Sequence, residues 1–136
     1  MKNAEIAYLA GLFDGEGSCS IQLMKRNYGI NYNARMTMSL KYGHDVLSKL
    51  VNMFGGKIYY YKDNMARWHL GQKLMMIRAL DLMIPYLNIK KGIAIKFKHA
   101  LSLMPEHRTK YINNKQREEL NTIALTLNPI KSRKHK

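Results

Sequence analysis

The sequence predicts an α+β fold, and three observations carry that reading. A seam of small residues runs at helical spacing near the start. Two pairs of short stretches alternate apolar and polar residues. Stripes at helical spacing separate the pairs and follow them. The resulting order is helix, two strands, helix, two strands, then helices, with the members of each strand pair near enough in sequence to form a hairpin.

The first helix has two faces to bury. Ile6, Leu9 and Phe13 fall at i, i+3 and i+7, the spacing of a helix lying on its own core. Ala7, Gly11 and Gly15 fall at i, i+4 and i+8 on another stripe, where a second helix backbone could approach closely. The helix end then delivers two carboxylates, Asp14 and Glu16, with Gly15 and Gly17 easing the passage from helix into strand. An anion at the negative end of a helix dipole is disfavoured by a few tenths to about 1 kcal/mol. Paired acids there point to a cation between them and an anionic group close by.

After Gly17 the period becomes two. Cys19, Ile21 and Leu23 alternate with Ser18, Ser20, Gln22, Met24 and Arg26. Turn residues follow from Asn27 to Asn31. The second strand turns Met36, Met38 and Leu40 inward and Asn33, Arg35, Thr37, Ser39 and Lys41 outward. Val46, Leu47, Leu50, Val51 and Phe54 then make a short amphipathic helix that stops at Gly55-Gly56. Residues 57–62 read as a third strand, Asp63-Asn64 as a tight turn, and residues 65–70 as a fourth strand with Trp68 and Leu70 inward and Arg67 and His69 outward. Two registers are open for the third strand. One puts Lys57, Tyr59 and Tyr61 on the polar face, and a slip of one residue presents Tyr60 and Lys62 instead.

Gly71 opens the next expected helix, with Leu74, Ile77, Leu80, Leu82 and Ile84 apolar and Pro85 at its end. A connector over residues 85–91 leads into a helix through Ile93, Ile95, Phe97, Ala100, Leu101 and Met104, stopped before Pro105. A last helix is expected over roughly residues 115–127. One domain is thus expected over residues 1–128, with residues 129–136 a basic tail.

The formal net charge is +14, from 23 Lys and Arg against 9 Asp and Glu in 136 residues, so a polyanion is the expected partner. The sole cysteine, Cys19, excludes an intrachain disulfide framework or a cysteine-rich zinc site. No run approaches the ~18 apolar residues of a membrane span, and Met1 to Tyr8 holds no signal-peptide core. The expected chain is soluble, with neither membrane nor small-molecule substrate as partner.

Two polar-faced hairpins suit a DNA major groove. Amide and guanidinium forks on Gln22, Arg26, Arg35 or Arg67 match base edges bidentately, each discriminating by about 1–3 kcal/mol. Lys25, Lys41, Lys57, Lys96 and Lys98 suit phosphate contacts better than base reading. Other nuclease signatures are missing: no Asp or Glu stands two residues before a Lys, and the five histidines do not cluster.

Leu9-Ala10-Gly11-Leu12-Phe13-Asp14-Gly15-Glu16-Gly17 resembles the motif of the LAGLIDADG homing endonucleases, and the element order over roughly residues 5–104 is similar to theirs. The resemblance implies their α-β-β-α-β-β-α fold, with a four-stranded antiparallel DNA-binding sheet and extra C-terminal helices. It implies that Glu16, with the carbonyl of Gly15, binds the catalytic divalent metal, Mg²⁺ or another ion such as Mn²⁺. It assigns Lys90, with Lys91 the near alternative, to orienting the attacking water or stabilising developing charge. A further polar residue is expected near the end of the second strand, where Lys41 and Tyr42 both lie.

The outward strand residues, Tyr59 and Tyr61 among them, become DNA contacts under this resemblance. Ala7, Gly11, Asp14 and Gly15 become the dimer interface. One chain carries one motif, so a homodimer is implied, cutting both strands of a long, partly palindromic double-stranded DNA site. The alternative is an intron-encoded RNA maturase or an inactive DNA-binding protein of the same fold. Two departures stand out: Glu16 replaces the commoner aspartate, and no glutamine or arginine partner follows the second strand.

Overall fold

The computed structural model describes residues 2–26, 29–104 and 114–127, with nothing of the side chains of Lys2, residues 23–31 and Asn114. Its order is α1 (Lys2–Glu16), β1 (Gly17–Arg26), β2 (Gly29–Lys41), α2 (His44–Phe54), β3 (Lys57–Tyr60), β4 (Met65–Leu70), α3 (Lys73–Met83), α4 (Lys91–Leu103) and α5 (Asn114–Leu127). The four strands form one antiparallel sheet in the order β1-β2-β4-β3. The α+β expectation with a four-stranded antiparallel sheet holds.

Alternation decides which face is covered. Cys19, Ile21, Ala34, Met36, Met38, Ala66, Trp68 and Leu70 point inward and are buried beneath the helices. Trp68 is wholly buried, and its indole N–H donates to the Gly55 carbonyl at 2.8 Å, so the one polar atom of the largest core side chain is satisfied. The opposite face carries the polar set. From α1, Ile6, Leu9 and Phe13 enter the core as the helical spacing predicted, joined by Ala10. A Cβ on Gly17 would overlap the Phe13 ring, so only glycine lets the chain leave α1 here and begin β1 beneath that ring.

Several expectations are corrected. The first turn is shorter than residues 27–31: Gly29, Ile30 and Asn31 already pair with Arg26, Lys25 and Met24. The third strand stops at Tyr60 rather than Lys62, because the chain coils into a 3-10 turn at Lys62–Asn64 in which Asp63 and Asn64 take left-handed φ of 64° and 62°. Its register is the first of the two open ones. Ile58 pairs with Trp68 on the inner face, which turns Lys57 and Tyr59 to the polar side opposite His69 and Arg67.

The helix α3 begins at Lys73 rather than Gly71, and it buries Met76, Ala79, Leu80 and Met83. Leu74, expected inward, is 69% exposed. Pro85 does not halt the chain abruptly, since residues 84–86 continue as a 3-10 turn. In α4 the buried stripe is Ala94, Phe97, Ala100 and Leu101, leaving Ile93 and Ile95 outside. The last helix matches its expected span closely. Leu120, Ile123 and Ala124 seat it against α4 and β1, and Asn121 accepts from the Tyr32 hydroxyl at 3.1 Å. Asn27, Tyr28, Pro105 and the tail lie outside the described residues. No helix among those described is long and apolar enough to cross a membrane.

Candidate active site

The end of α1 and the approach to α4 meet at Asp14. Its Oδ1 accepts from the backbone N–H of Asn88 at 3.1 Å and of Lys90 at 2.8 Å, and its Oδ2 from that of Ile89 at 3.0 Å. The Lys90 N–H, at the N-cap of α4, has no partner within the helix, the connector N–H groups of Asn88 and Ile89 point the same way, and the helix dipole favours an anion, so the carboxylate fits that place. The Lys90 N–H bond, supported by those from Ile89 and Asn88, holds the Asp14 carboxyl below the usual carboxylate range against the opposing effect of partial desolvation. In return the Lys90 ammonium donates to the Asp14 carbonyl at 2.7 Å, a cation on the negative end of α1.

Glu16, the last residue of α1, is exposed, and among the described residues its carboxylate has no hydrogen-bond or ion-pair partner. Lys90 is half-buried. Its charge also reaches Cys19, whose buried thiol is pushed up to about 12 by desolvation, with the ammonium acting the other way. Lys90 lies against the end of α1 at Asp14, two residues before Glu16. Lys91, the alternative lysine, is exposed. Among the described residues no three His, Cys, Asp or Glu side chains gather into a metal cluster.

On the seam of α1 the outcome differs from that of its core face. Gly11 and Gly15 are exposed, and a Cβ on either would meet nothing within 4 Å. Ala7 is half-buried. Among the described residues of this chain, nothing covers Gly11 or Gly15.

The outer sheet face carries the expected polar residues in rows set by register. Ser18, Thr37, His69 and Lys57 form one row across all four strands, and Ser39, Arg67 and Tyr59 the next. Ser20 stands opposite Arg35, and Gln22 opposite Asn33. The Arg67 Nε donates to Ser39 Oγ at 2.9 Å while its guanidinium lies 5.5 Å from the Tyr61 ring centroid. Tyr59 meets His69 edge-on at 6.1 Å. Partial burial, then the charges of Arg35 and Arg67, hold the His69 imidazole below its ordinary pKa. Side chains of Met24 and Arg26 lie outside the described residues.

Lys41 and Tyr42 sit together beyond this face. Tyr42 has a left-handed φ of 56°, its N–H donates to the Asn64 carbonyl at 2.8 Å, its hydroxyl accepts from Asn64 Nδ2 at 3.2 Å, and the Lys41 ammonium is 5.9 Å from its ring centroid. Gly17 pairs with Met38, so the outward residue next to the α1–β1 junction is Ser39, with Arg67 on its hydroxyl. Sequence reasoning placed Ser39 and Arg67 on the polar face but missed that the two side chains bond to each other across β2 and β4. It also missed Asn88 and Ile89, whose only signal was the connector before α4.

Fold and site together define an α+β domain in which a motif helix runs directly into the first strand of a polar-faced sheet. The LAGLIDADG endonuclease profile matches residues 9–100. The chain belongs to the LAGLIDADG endonuclease family.

Solved structures agree at the level of fold. The homing endonuclease I-CvuI, bound to an I-CreI target with Mg and uncleaved DNA, gives a TM-score of 0.78 at 19% identity, covering 96% of this chain and 86% of that one. The archaeal intron-encoded homing endonuclease I-Vdi141I, complexed with DNA, gives 0.79 at 15% identity, with 93% and 84% covered. I-SmaMI, bound to an uncleaved DNA target with calcium ions, gives 0.75 at 21% identity, where 91% of this chain covers 44% of that one. Among curated proteins none matches.

Proposed function

We propose that this chain is one subunit of a homodimeric homing endonuclease that makes a double-strand break in a long, partly palindromic DNA site by divalent-metal-dependent hydrolysis. The observation that carries the reading is the Glu16 carboxylate, unpartnered among the described residues, at the end of a helix whose glycine seam those residues leave open. Gly11 and Gly15 leave room for the same helix of a second copy, and a symmetric contact through Ala7, Gly11, Asp14 and Gly15 brings two Glu16 side chains near the axis, one for each DNA strand. The I-CvuI and I-Vdi141I complexes with DNA, the first with Mg present, support duplex DNA and a hard divalent ion as partners.

The donor set fits such an ion. A carboxylate and a backbone carbonyl are hard oxygen donors, and Mg²⁺ or Mn²⁺ takes its remaining ligands from water and phosphate. Glu16 and the Gly15 carbonyl would hold it, and when bound it would lower the pKa of a water and neutralise charge on the phosphate. Lys90 keeps two ammonium N–H donors beyond the one given to Asp14. Those two stabilise charge developing on the phosphate oxygens. The polar rows of the sheet read the major groove, and the lysines together with the basic tail engage phosphates, so binding weakens steeply with salt.

The test is a cleavage selection from a randomised DNA library with Mg²⁺. Wild type is expected to cut both strands of a partly palindromic site. Glu16→Gln is expected to bind that site normally and cut it at least about 10³-fold more slowly, which corresponds to some 4 kcal/mol. Tight binding without cutting of any library member by wild type would instead leave a binding protein.

A further inference from the structure

We infer that Asp14 is a positioning residue, whose clasp on the start of α4 sets the Lys90 ammonium against the Glu16 end of α1. The inference rests on the endonuclease reading above and adds to it a residue that touches neither metal nor DNA. Two things must be fixed relative to each other for Glu16 and Lys90 to act on one phosphate: the end of α1 and the first residue before α4. Among the described residues Asp14, itself part of the end of α1, is the one whose bonds tie that end to Lys90. Its carboxylate takes three successive N–H groups from Asn88 to Lys90, and its own carbonyl takes the Lys90 ammonium.

The two halves reinforce one another. The carboxylate holds the Lys90 backbone at 2.8 Å, which shortens the reach the side chain must make to the Asp14 carbonyl at 2.7 Å. A long lysine side chain is otherwise costly to order, because it gives up the freedom of four rotatable bonds. Fixed at both ends, the ammonium is left with donors aimed from a known point, and Glu16 follows two residues later in the same helix.

A merely structural cap would also cost stability, so the test must separate the two roles. Asp14→Asn keeps one carbonyl acceptor and loses the bond from Ile89. It is compared with Lys90→Gln and with the double variant in single-turnover cleavage at saturating Mg²⁺, at a temperature where all stay folded. Asp14→Asn is expected to lower the rate between about tenfold and 10²-fold with DNA affinity unchanged, and to have no further effect once Lys90 is Gln. Equal losses in both backgrounds, or a full rate for Asp14→Asn while Lys90→Gln is dead, overturn the positioning role alone. A Lys90→Gln enzyme that cuts like wild type overturns it together with the Lys90 assignment.

Geometry supplies a readout independent of cutting. In a crystal structure of folded Asp14→Asn the Lys90 ammonium is expected to leave the Asp14-position carbonyl. An ammonium still bonded there overturns the inference even if no DNA site is ever cleaved.

Discussion

Gly17 and Gly11 belong to one motif, six residues apart, and face opposite demands. A Cβ on Gly17 would run into the Phe13 ring, whereas one on Gly11 or Gly15 would meet open space. Gly17 is therefore glycine for the sake of the chain's own fold. Nothing among the described residues explains Gly11 or Gly15, and an exposed glycine in a helix interior costs about 0.5–1 kcal/mol relative to alanine. Small residues at that cost are what the proposed helix-to-helix dimer seam requires.

The largest expected effect follows from that contrast. Gly11→Leu should leave the isolated fold intact or raise its stability by about 0.5–1 kcal/mol through helix propensity. It should also give monomers in sedimentation, with double-strand cleavage lost. An active Gly11→Leu monomer would break the comparison, since the seam would then serve nothing. The converse substitution is Gly17→Ala. It should cost about 1–3 kcal/mol in urea unfolding, the range for forcing a methyl into a filled core, while the surviving folded protein still dimerises. Unchanged stability would mean that Phe13 swings aside freely.

The motif was legible because its periodicities are local: Ile6, Leu9 and Phe13 announce one face at helical spacing, and alternation announces the polar rows of the sheet. The α3 stripe was misread for a physical reason. From Leu74 to Ile84 the helix is apolar on nearly every side, so no face is distinguished by sequence, and tertiary packing selected Met76, Ala79, Leu80 and Met83 over Leu74. The third strand needed its partner too, since only pairing of Ile58 with Trp68 fixes which tyrosine faces the polar side. Asp14 shows the limit most clearly. Its charge was visible, but Asn88, Ile89 and Lys90 stand some seventy-five residues away, and no spacing links them.

The same contrast between inward and outward demands extends to the sheet, where effects should be smaller because readout is spread over many side chains. Arg67→Ala should cost about 1 kcal/mol of base discrimination, the low end for a guanidinium contact, because Ser39 and Tyr61 already share that side chain. A binding titration across single-base variants of the site checks this. A uniform loss at every variant would make Arg67 a phosphate contact instead.

The smallest effect concerns His69. Its partial burial and the charges of Arg35 and Arg67 hold its folded pKa below the ordinary 6.5, so the unfolded chain binds more protons in the window just beneath that value. Stability from the neutral imidazole is therefore complete above about pH 6.5 and is lost as pH falls through the lowered folded pKa. His69→Gln should flatten that part of the stability profile in thermal melts between about pH 5 and pH 7. DNA binding should weaken the effect, because phosphates laid over Arg35 and Arg67 neutralise the charges that add to burial in disfavouring the imidazolium. Proton uptake on binding, read by calorimetry in buffers of different ionisation enthalpy, should then appear in wild type and vanish in His69→Gln. Equal uptake in both proteins would mean that the polyanion does not lie across this row of the sheet.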